Sequence, residues 1–212
     1  MENDYNDLLS RFIASGDHTL DKILLFTAEI DKMTSVLRRT ILIDRSRREN
    51  DAEHSWHISV MALLFEKYAV ERPNVLHAVE MMLVHDLVEI YAGDTFAYDI
   101  AGNASKKERE KLAADKLYAL LPADQSAYLR SLWEEFDAAE TTDAKYANCL
   151  DRLQPFLHNT LTKGYTWSNY GFHTKRAQVA ARMDILREFM PAVHEWVVKC
   201  MDTAVRNGWL DE

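Results

Sequence analysis

The sequence predicts an all-α protein folded as one helical bundle, and three observations carry that expectation. Six glycines and four prolines in 212 residues leave little turn chemistry. Long segments repeat apolar residues at helical spacing, where strands would alternate. Several of those segments open on residues suited to cap a helix N-terminus.

Asp17 or Thr19 caps a first helix running to about Leu37, with Ile23, Leu24, Ile30 and Leu37 toward the core. Its end runs through Leu37-Arg38-Arg39-Thr40-Ile41-Leu42-Ile43 into a basic loop, Asp44-Arg45-Ser46-Arg47-Arg48. Asn50-Asp51-Ala52-Glu53 matches a capping box and opens a second helix, from Asp51 to about Ala69. One face of that helix carries His54, His57, Met61, Leu64, Phe65 and Tyr68. Pro73 and Asn74 precede a third helix, with Val75, Leu76, Val79, Met82 and Leu83 toward the core and His85-Asp86-Leu87-Val88-Glu89 at its end. There His85 and Glu89 are i, i+4 and Asp86 and Glu89 are i, i+3, so all three face one cavity. Gly93 ends the helix in a left-handed conformation, and Asp94 projects from the turn beside the same cavity.

The loop from Thr95 to Asn103 is placed to cover that cavity. Ser105-Lys106-Lys107-Glu108 reads as a second capping box, opening a helix through about Leu120. Pro122-Ala123-Asp124 starts another, carrying Tyr128, Leu132, Trp133 and Phe136; both helices read as structural. Thr141-Thr142-Asp143 caps a helix to about Leu161, with Tyr146, Leu150, Leu153, Leu157 and Leu161 as its core stripe, a kink at Pro155, and Asp151 beside the stripe. An aromatic-rich loop between Asn159 and Thr174 holds Gly164, Tyr165, Trp167, Tyr170, Gly171 and Phe172. Two last helices run from about Lys175 to Glu188 and from Pro191 to Asn207.

A chain of this length with 48% hydrophobic residues supports one core. The expected organisation is a single domain over 1–212, its bundle spanning about 20–190, with a C-terminal helix at 191–207. A formal charge of −9 argues against a nucleic-acid or anionic-membrane surface. Cys149 and Cys200 are too few for a disulfide framework and fit a reducing cytoplasm. The acidic start lacks a basic segment followed by an apolar one, and no apolar run approaches the ~18 residues of a membrane span. A soluble protein that is not exported is expected.

Taken singly, the polar residues on these faces have ordinary readings. A histidine on an apolar face is commonly a satisfied core residue, and an acid beside an apolar stripe commonly swings out to water or pairs with a neighbour such as Arg152. Together, His54, the pair His85-Asp86, and Asp151 form an inward set drawn from three predicted helices. Two neutral imidazoles and two carboxylates suit Mn²⁺, Co²⁺, Fe²⁺ or Zn²⁺, with positions left open for water and a phosphate oxygen.

That order and composition resemble the HD-domain metal-dependent phosphohydrolases. The resemblance extends to Glu53-His54-Ser55, to His85-Asp86-x-x-Glu89 and to Gly93-Asp94, and is nearest the branch that includes the bacterial 5′-deoxynucleotidases. It implies an HD-type helical bundle and a phosphohydrolase acting on nucleoside monophosphates. No histidine lies between Asp86 and Asp151, the interval from which dinuclear members draw extra ligands, so one metal ion is expected. By the same resemblance Glu89 orients or deprotonates the attacking water, and Asp94 assists the leaving oxygen or binds near it; alternatively either acid tunes the metal ligands. Arg39, fifteen residues ahead of His54, falls where that branch places a phosphate-binding arginine. Thr40 stands where the deoxynucleotidases have a tryptophan that excludes the ribose 2′-hydroxyl, which leaves sugar selectivity and phosphate-chain length open. Trp56 and Trp167 are candidates for stacking, with core packing as the alternative. Family members are often dimers, so a homodimer is a further expectation. Two rival readings are a nucleotide-sensing module without turnover and a helical interaction protein whose polar cluster is structural.

Overall fold

The computed structural model describes residues 8–9, 11–169 and 173–212; Tyr170, Gly171 and Phe172 of the aromatic-rich loop lie outside them. Asp17 caps helix α1 (His18–Ile30), its carboxylate accepting from the amides of Thr19 and Leu20. The expected continuation to Leu37 does not form. A short 3₁₀ turn (Asp31–Ser35) leads into strand β1 (Leu37–Ile41), antiparallel to β2 (Arg48–Asn50). Thr40, Ile41 and Ile43 are β-branched, a composition that favours the extended chain over the helix. The guanidinium of Arg48 also donates to the carbonyls of Arg38 and Leu37 across the ribbon.

The capping box forms as its sequence dictates. The Asn50 side chain accepts from the Glu53 amide, and Glu53 accepts from the Asn50 amide, opening α2 (Asp51–Phe65). After α3 (Val75–Val84) the chain tightens instead of continuing. The amides of Leu87 and Glu89 bond to the carbonyls of Val84 and Asp86, at 3.1 and 2.9 Å, before the short helix α4 (Glu89–Ala92). One cause is visible at Met82, whose carbonyl accepts from Nδ1 of His85 at 2.8 Å. Gly93 does adopt positive φ, +74°, but with ψ 148°, so it leads into extended chain and not the left-handed helical well.

A short turn of helix, α5 (Ile100–Asn103), precedes α6 (Lys106–Tyr118), α7 (Ala123–Ala138) and α8 (Thr142–Leu161). Ser105 is the N-cap of α6 but makes no side-chain cap bond, so the second capping box is not realised; its hydroxyl accepts from Arg109. Helix α8 is capped by Thr141 and is the central element, packed against α2, α3, α7 and α10 (Arg176–Phe189). A short helix α9 (Tyr165–Ser168) and the last helix α11 (Pro191–Arg206) complete the order. Gly164, at φ +71°, lies so close to the Trp209 carbonyl that a Cβ there would sit 2.3 Å from it. Beyond α11, Asp211 bridges to Lys175 and exchanges backbone bonds with Thr174 and Arg176.

The buried core includes Ile58, Ala62, Met81, Met82, Leu117, Tyr146, Leu150, Met183 and Leu186. The Tyr146 hydroxyl donates to the Ala62 carbonyl at 2.7 Å, tying α8 to α2. Seven residues expected inside are exposed: Leu24, Leu37, Leu64, Tyr68, Leu76, Leu83 and Leu161. On α2 the reason is rotational phase. Asp51, His54, Ser55, Ile58 and Ala62 face inward, and that phase turns Leu64 outward. On α8 the inward stripe through Tyr146, Leu150 and Leu153 continues in the polar residues Gln154 and His158, and Leu161, the last residue of the helix, lies exposed.

Candidate metal centre

Three elements bring the four predicted ligands together. The first turn of α2 carries His54, the tight turn after α3 carries His85 and Asp86, and the middle of α8 carries Asp151. His54 Nε2 lies 3.0 Å from Asp151 Oδ1. His85 Nε2 lies 3.1 Å from Asp86 Oδ2 and 3.8 Å from Asp151 Oδ1. One donor atom each from His54, His85 and Asp151 fall within 4.8 Å of one another. Pro155, one turn after Asp151, supplies no N–H to the Asp151 carbonyl, so the helix ladder is interrupted at the site.

The donor set fits a cation. Because Nδ1 of His85 donates to a carbonyl, the Nε2 lone pair is the free one, and Nε2 is buried without a hydrogen-bond partner. Burial and the neighbouring Arg38 push His54 down to about 4, so this imidazole is neutral at pH 7. Burial works against the charge of Asp86, yet His85 and Arg38 hold its carboxyl well below the ordinary range. Asp151 is likewise held low against burial by the neighbouring His54 and Arg182, the latter with its Nη2 3.6 Å from Oδ2. Burial alone would lower the proton affinity of His85, but Asp86 raises it, so a metal competes there with a proton.

Arg38, on β1, is the guanidinium that enters the carboxylates. Its Nη1 lies 2.6 Å from Asp86 Oδ2 and 3.4 Å from Asp51 Oδ1, and its Nε lies 3.6 Å from Glu49 Oε2. Asp51, Asp86 and Glu89 form a second group of convergent donors, which takes in the remaining ligand candidate, Asp86. Burial followed by Asp86 pushes Asp51 up to about 8. Glu89 rises well above its ordinary value through burial and the charges of Asp86, Asp51 and Asp94, and its Oε2 has no hydrogen-bond partner. Asp94 is raised mainly by burial.

A cavity of about 170 Å³ opens on this cluster. Arg38, Arg39, Lys106, Arg152 and Arg182 line it against Asp86, Glu89, Asp94 and Asp151, while Phe96, Tyr98 and Trp167 supply aromatic wall. The 95–103 segment thus borders the cavity as its position implied. Glu89, Asp94 and Arg39 all reach the same space as three of the ligand candidates, His85, Asp86 and Asp151, with His54 buried behind them. Thr40 is also in its wall. His57 stands outside, half-buried beside His158 with ring centroids 5.5 Å apart. Trp167 is core-packed and Trp56 is 65% exposed, so core packing describes the first only.

The sequence reading missed several participants. Helices α6 and α7, taken as structural, contribute Lys106, 4.0 Å from Glu89, and Phe136, whose ring stacks against His85 with centroids 4.6 Å apart. Asp151 does not pair with Arg152, which donates instead to the Arg182 carbonyl. Asp51 was visible only as a residue of the capping box. Gln154, three residues after Asp151, shares its helical face, and that spacing was the available signal. Nothing local marked Arg182.

The HD domain family model matches residues 30–194. Human 5′-deoxynucleotidase HDDC2 is 32% identical over 111 residues, 52% of this chain and 53% of that protein. The Bos taurus protein is 33% identical over 109 residues, 51% and 52% respectively. The chain therefore spans about half the length of the curated relatives it matches. Among solved structures, a predicted metal-dependent phosphohydrolase from Magnetospirillum magnetotacticum MS-1 superposes with a TM-score of 0.87 at 45% identity, covering 95% of this chain and 100% of that one. An HD-domain phosphohydrolase from Listeria innocua shares the fold at a TM-score of 0.55 and 15% identity, over 87% and 86% of the two chains.

Proposed function

Since the chain belongs to the HD domain family, we propose that it is a metal-dependent phosphohydrolase that removes phosphate from nucleoside monophosphates. The observation that carries this reading is the convergence of His54, His85, Asp86 and Asp151, the last three of them lining a cavity together with cationic side chains. His54, His85, Asp86 and Asp151 would hold one divalent transition metal, Mn²⁺, Co²⁺, Fe²⁺ or Zn²⁺. When bound, that ion acidifies water and offsets phosphate charge.

The remaining roles belong to the chain itself. Arg39, Arg182 and Lys106 receive the phosphate oxygens, a guanidinium being able to hold two at once. Glu89 lies buried among the carboxylates of Asp86, Asp51 and Asp94; with their charge offset by a bound cation it is ionised and takes the proton of the attacking water as the new O–P bond forms. Asp94, whose proton affinity burial raises, delivers a proton to the sugar oxygen as the P–O bond breaks. Phe96, Tyr98 and Trp167 offer apolar surface to the nucleoside. Thr40 in the wall, in place of a tryptophan, leaves room for a 2′-hydroxyl, so ribonucleotides are substrates as well.

The test is phosphate release from ribo- and deoxyribonucleoside mono- and triphosphates, with Mn²⁺ and Co²⁺ supplied. Monophosphates should turn over. Glu89→Ala should lose at least 100-fold in kcat, as expected when a general base is removed (~10²–10⁴-fold), while binding the metal as the wild type does. Nucleotide binding without release by the wild type would instead establish a sensing module. The exposed apolar face of α2, with Trp56, Leu63 and Leu64, supports a homodimer, which light scattering would test. Two free cysteines, and no helix among the described residues long and apolar enough to cross a membrane, support a cytoplasmic placement.

A further inference from the structure

Beneath the metal-ligand candidates lies a third group of convergent donors, Glu49, His57 and His158. Its centre is already filled. The side-chain nitrogen of Gln154 lies 2.5 Å from Glu49 Oε1, 3.0 Å from His158 Nε2 and 3.2 Å from His57 Nδ1, so this group surrounds an amide and leaves no place for an ion. Gln154, His54, Glu49 and His158 are all nearly inaccessible, with Gln154 and His54 at 0% exposure, so each of their protons must find a partner inside the protein.

Hydrogen accounting then fixes every proton along the line. His158 Nδ1 lies 3.1 Å from the Ile41 carbonyl, which only accepts, so Nδ1 carries the proton and Nε2 is an acceptor. An acceptor at Nε2 of His158 requires the donor end of Gln154, which places the NH₂ toward it and toward Glu49. The reversed amide would set its oxygen against a bare imidazole nitrogen. Gln154 Oε1 therefore faces His54 Nδ1, at 3.0 Å, and accepts its proton. The lone pair of His54 is left on Nε2, the atom 3.0 Å from Asp151 Oδ1. Two acceptors meet there with no hydrogen between them.

We propose that Gln154 is a positioning residue for the metal site: through the relay Ile41 carbonyl, His158, Gln154, it holds His54 in the tautomer that presents a bare Nε2 beside Asp151. The inference rests on the proposed use of His54 as a metal ligand, but the position of the proton on His54 is measurable whether or not any nucleotide is hydrolysed. A ligating histidine whose second nitrogen loses its partner typically binds its metal 10–100-fold more weakly. Without the amide oxygen, the His54 proton moves to Nε2, where Asp151 accepts it, and a metal must then displace it.

The test compares the full-length wild type with Gln154→Met, which keeps the volume and removes the hydrogen bonds, and with Gln154→Glu, which keeps an acceptor for His54. Two readouts are used: ¹⁵N chemical shifts of the His54 ring in metal-free protein, and Mn²⁺ affinity by chelator competition at fixed pH. The wild type should show His54 protonated at Nδ1. Gln154→Met should move that proton to Nε2 and weaken Mn²⁺ binding about 10–100-fold, whereas Gln154→Glu should retain the Nδ1 proton. If Gln154→Met does not fold, Gln154→Glu decides alone, since loss of the Nδ1 proton there refutes an acceptor role. An Nε2 proton in the wild type, or an unchanged tautomer and Mn²⁺ affinity in Gln154→Met, overturns the relay. A wild type with the expected tautomer but no Mn²⁺ binding would overturn the proposed function and with it the purpose assigned to the relay.

Discussion

Glu49 shows how the interior of the site shapes the stability of the whole chain. Burial, against the opposing pull of Arg38, pushes its carboxyl from 4.5 up to about 7. A group whose proton affinity is raised by folding stabilises the native state fully below its unfolded value and loses that contribution as pH rises through its folded value. The loss therefore accrues between about pH 4.5 and pH 7, and at roughly 1.4 kcal/mol per tenfold change in proton affinity it is on the order of 3 kcal/mol. Glu49→Gln cannot ionise, so its unfolding free energy, followed by urea titration of metal-free protein from pH 5 to 8, should lack this decline; parallel profiles would refute the assignment. At this scale His54, His85, Asp86 and Asp151 were legible because they combine as a motif. Arg38 was not, since a strand was read as the end of a helix, and only a strand aims that side chain into the acids while its neighbour Arg39 reaches the cavity.

Elements place these residues through their ends more than through their middles. The capping box at Asn50 and Glu53 fixes where α2 begins, and His54 sits in the turn it defines. Asn50→Ala should lower stability by about 1 kcal/mol, the usual penalty for removing such a cap, and should also weaken Mn²⁺ binding. Denaturant titration and chelator competition check the two halves, and a stability loss with unchanged metal affinity would separate the cap from the site. Helix starts with a side-chain signal were legible, as at Asp17, Asn50 and Thr141. The break after Val84 was not, because the apolar spacing runs on through it and its visible cause is a bond from the His85 ring to its own helix. Rotational phase also escaped the reading on α2, where Asp51, His54 and Ser55 take inward positions and Leu64 is turned out.

At the scale of the molecule, the centre gathers like charges that folding alone does not relieve, as the raised Glu49, Asp51 and Glu89 show. A ligand that binds only the folded chain adds stability by mass action, about 2.7 kcal/mol at a free concentration 100 times its Kd. Mn²⁺ should therefore raise the Tm, chelator should reverse the rise, and His54→Ala should abolish it. A single core predicts one cooperative transition in each case, and calorimetry showing two would divide the chain. The bundle and its composition were legible at this scale; the path of the final residues was not, since no local pattern announces a contact between Trp209 and Gly164. That contact joins the far end of the chain to the segment carrying Trp167, and the backbone bonds of Asp211 to Thr174 and Arg176 close the same seam. The last few residues thus act as a buckle on the aromatic wall: cutting them away after Asn207 should leave His54, His85, Asp86 and Asp151 in place and let the Trp167 side of the cavity gape.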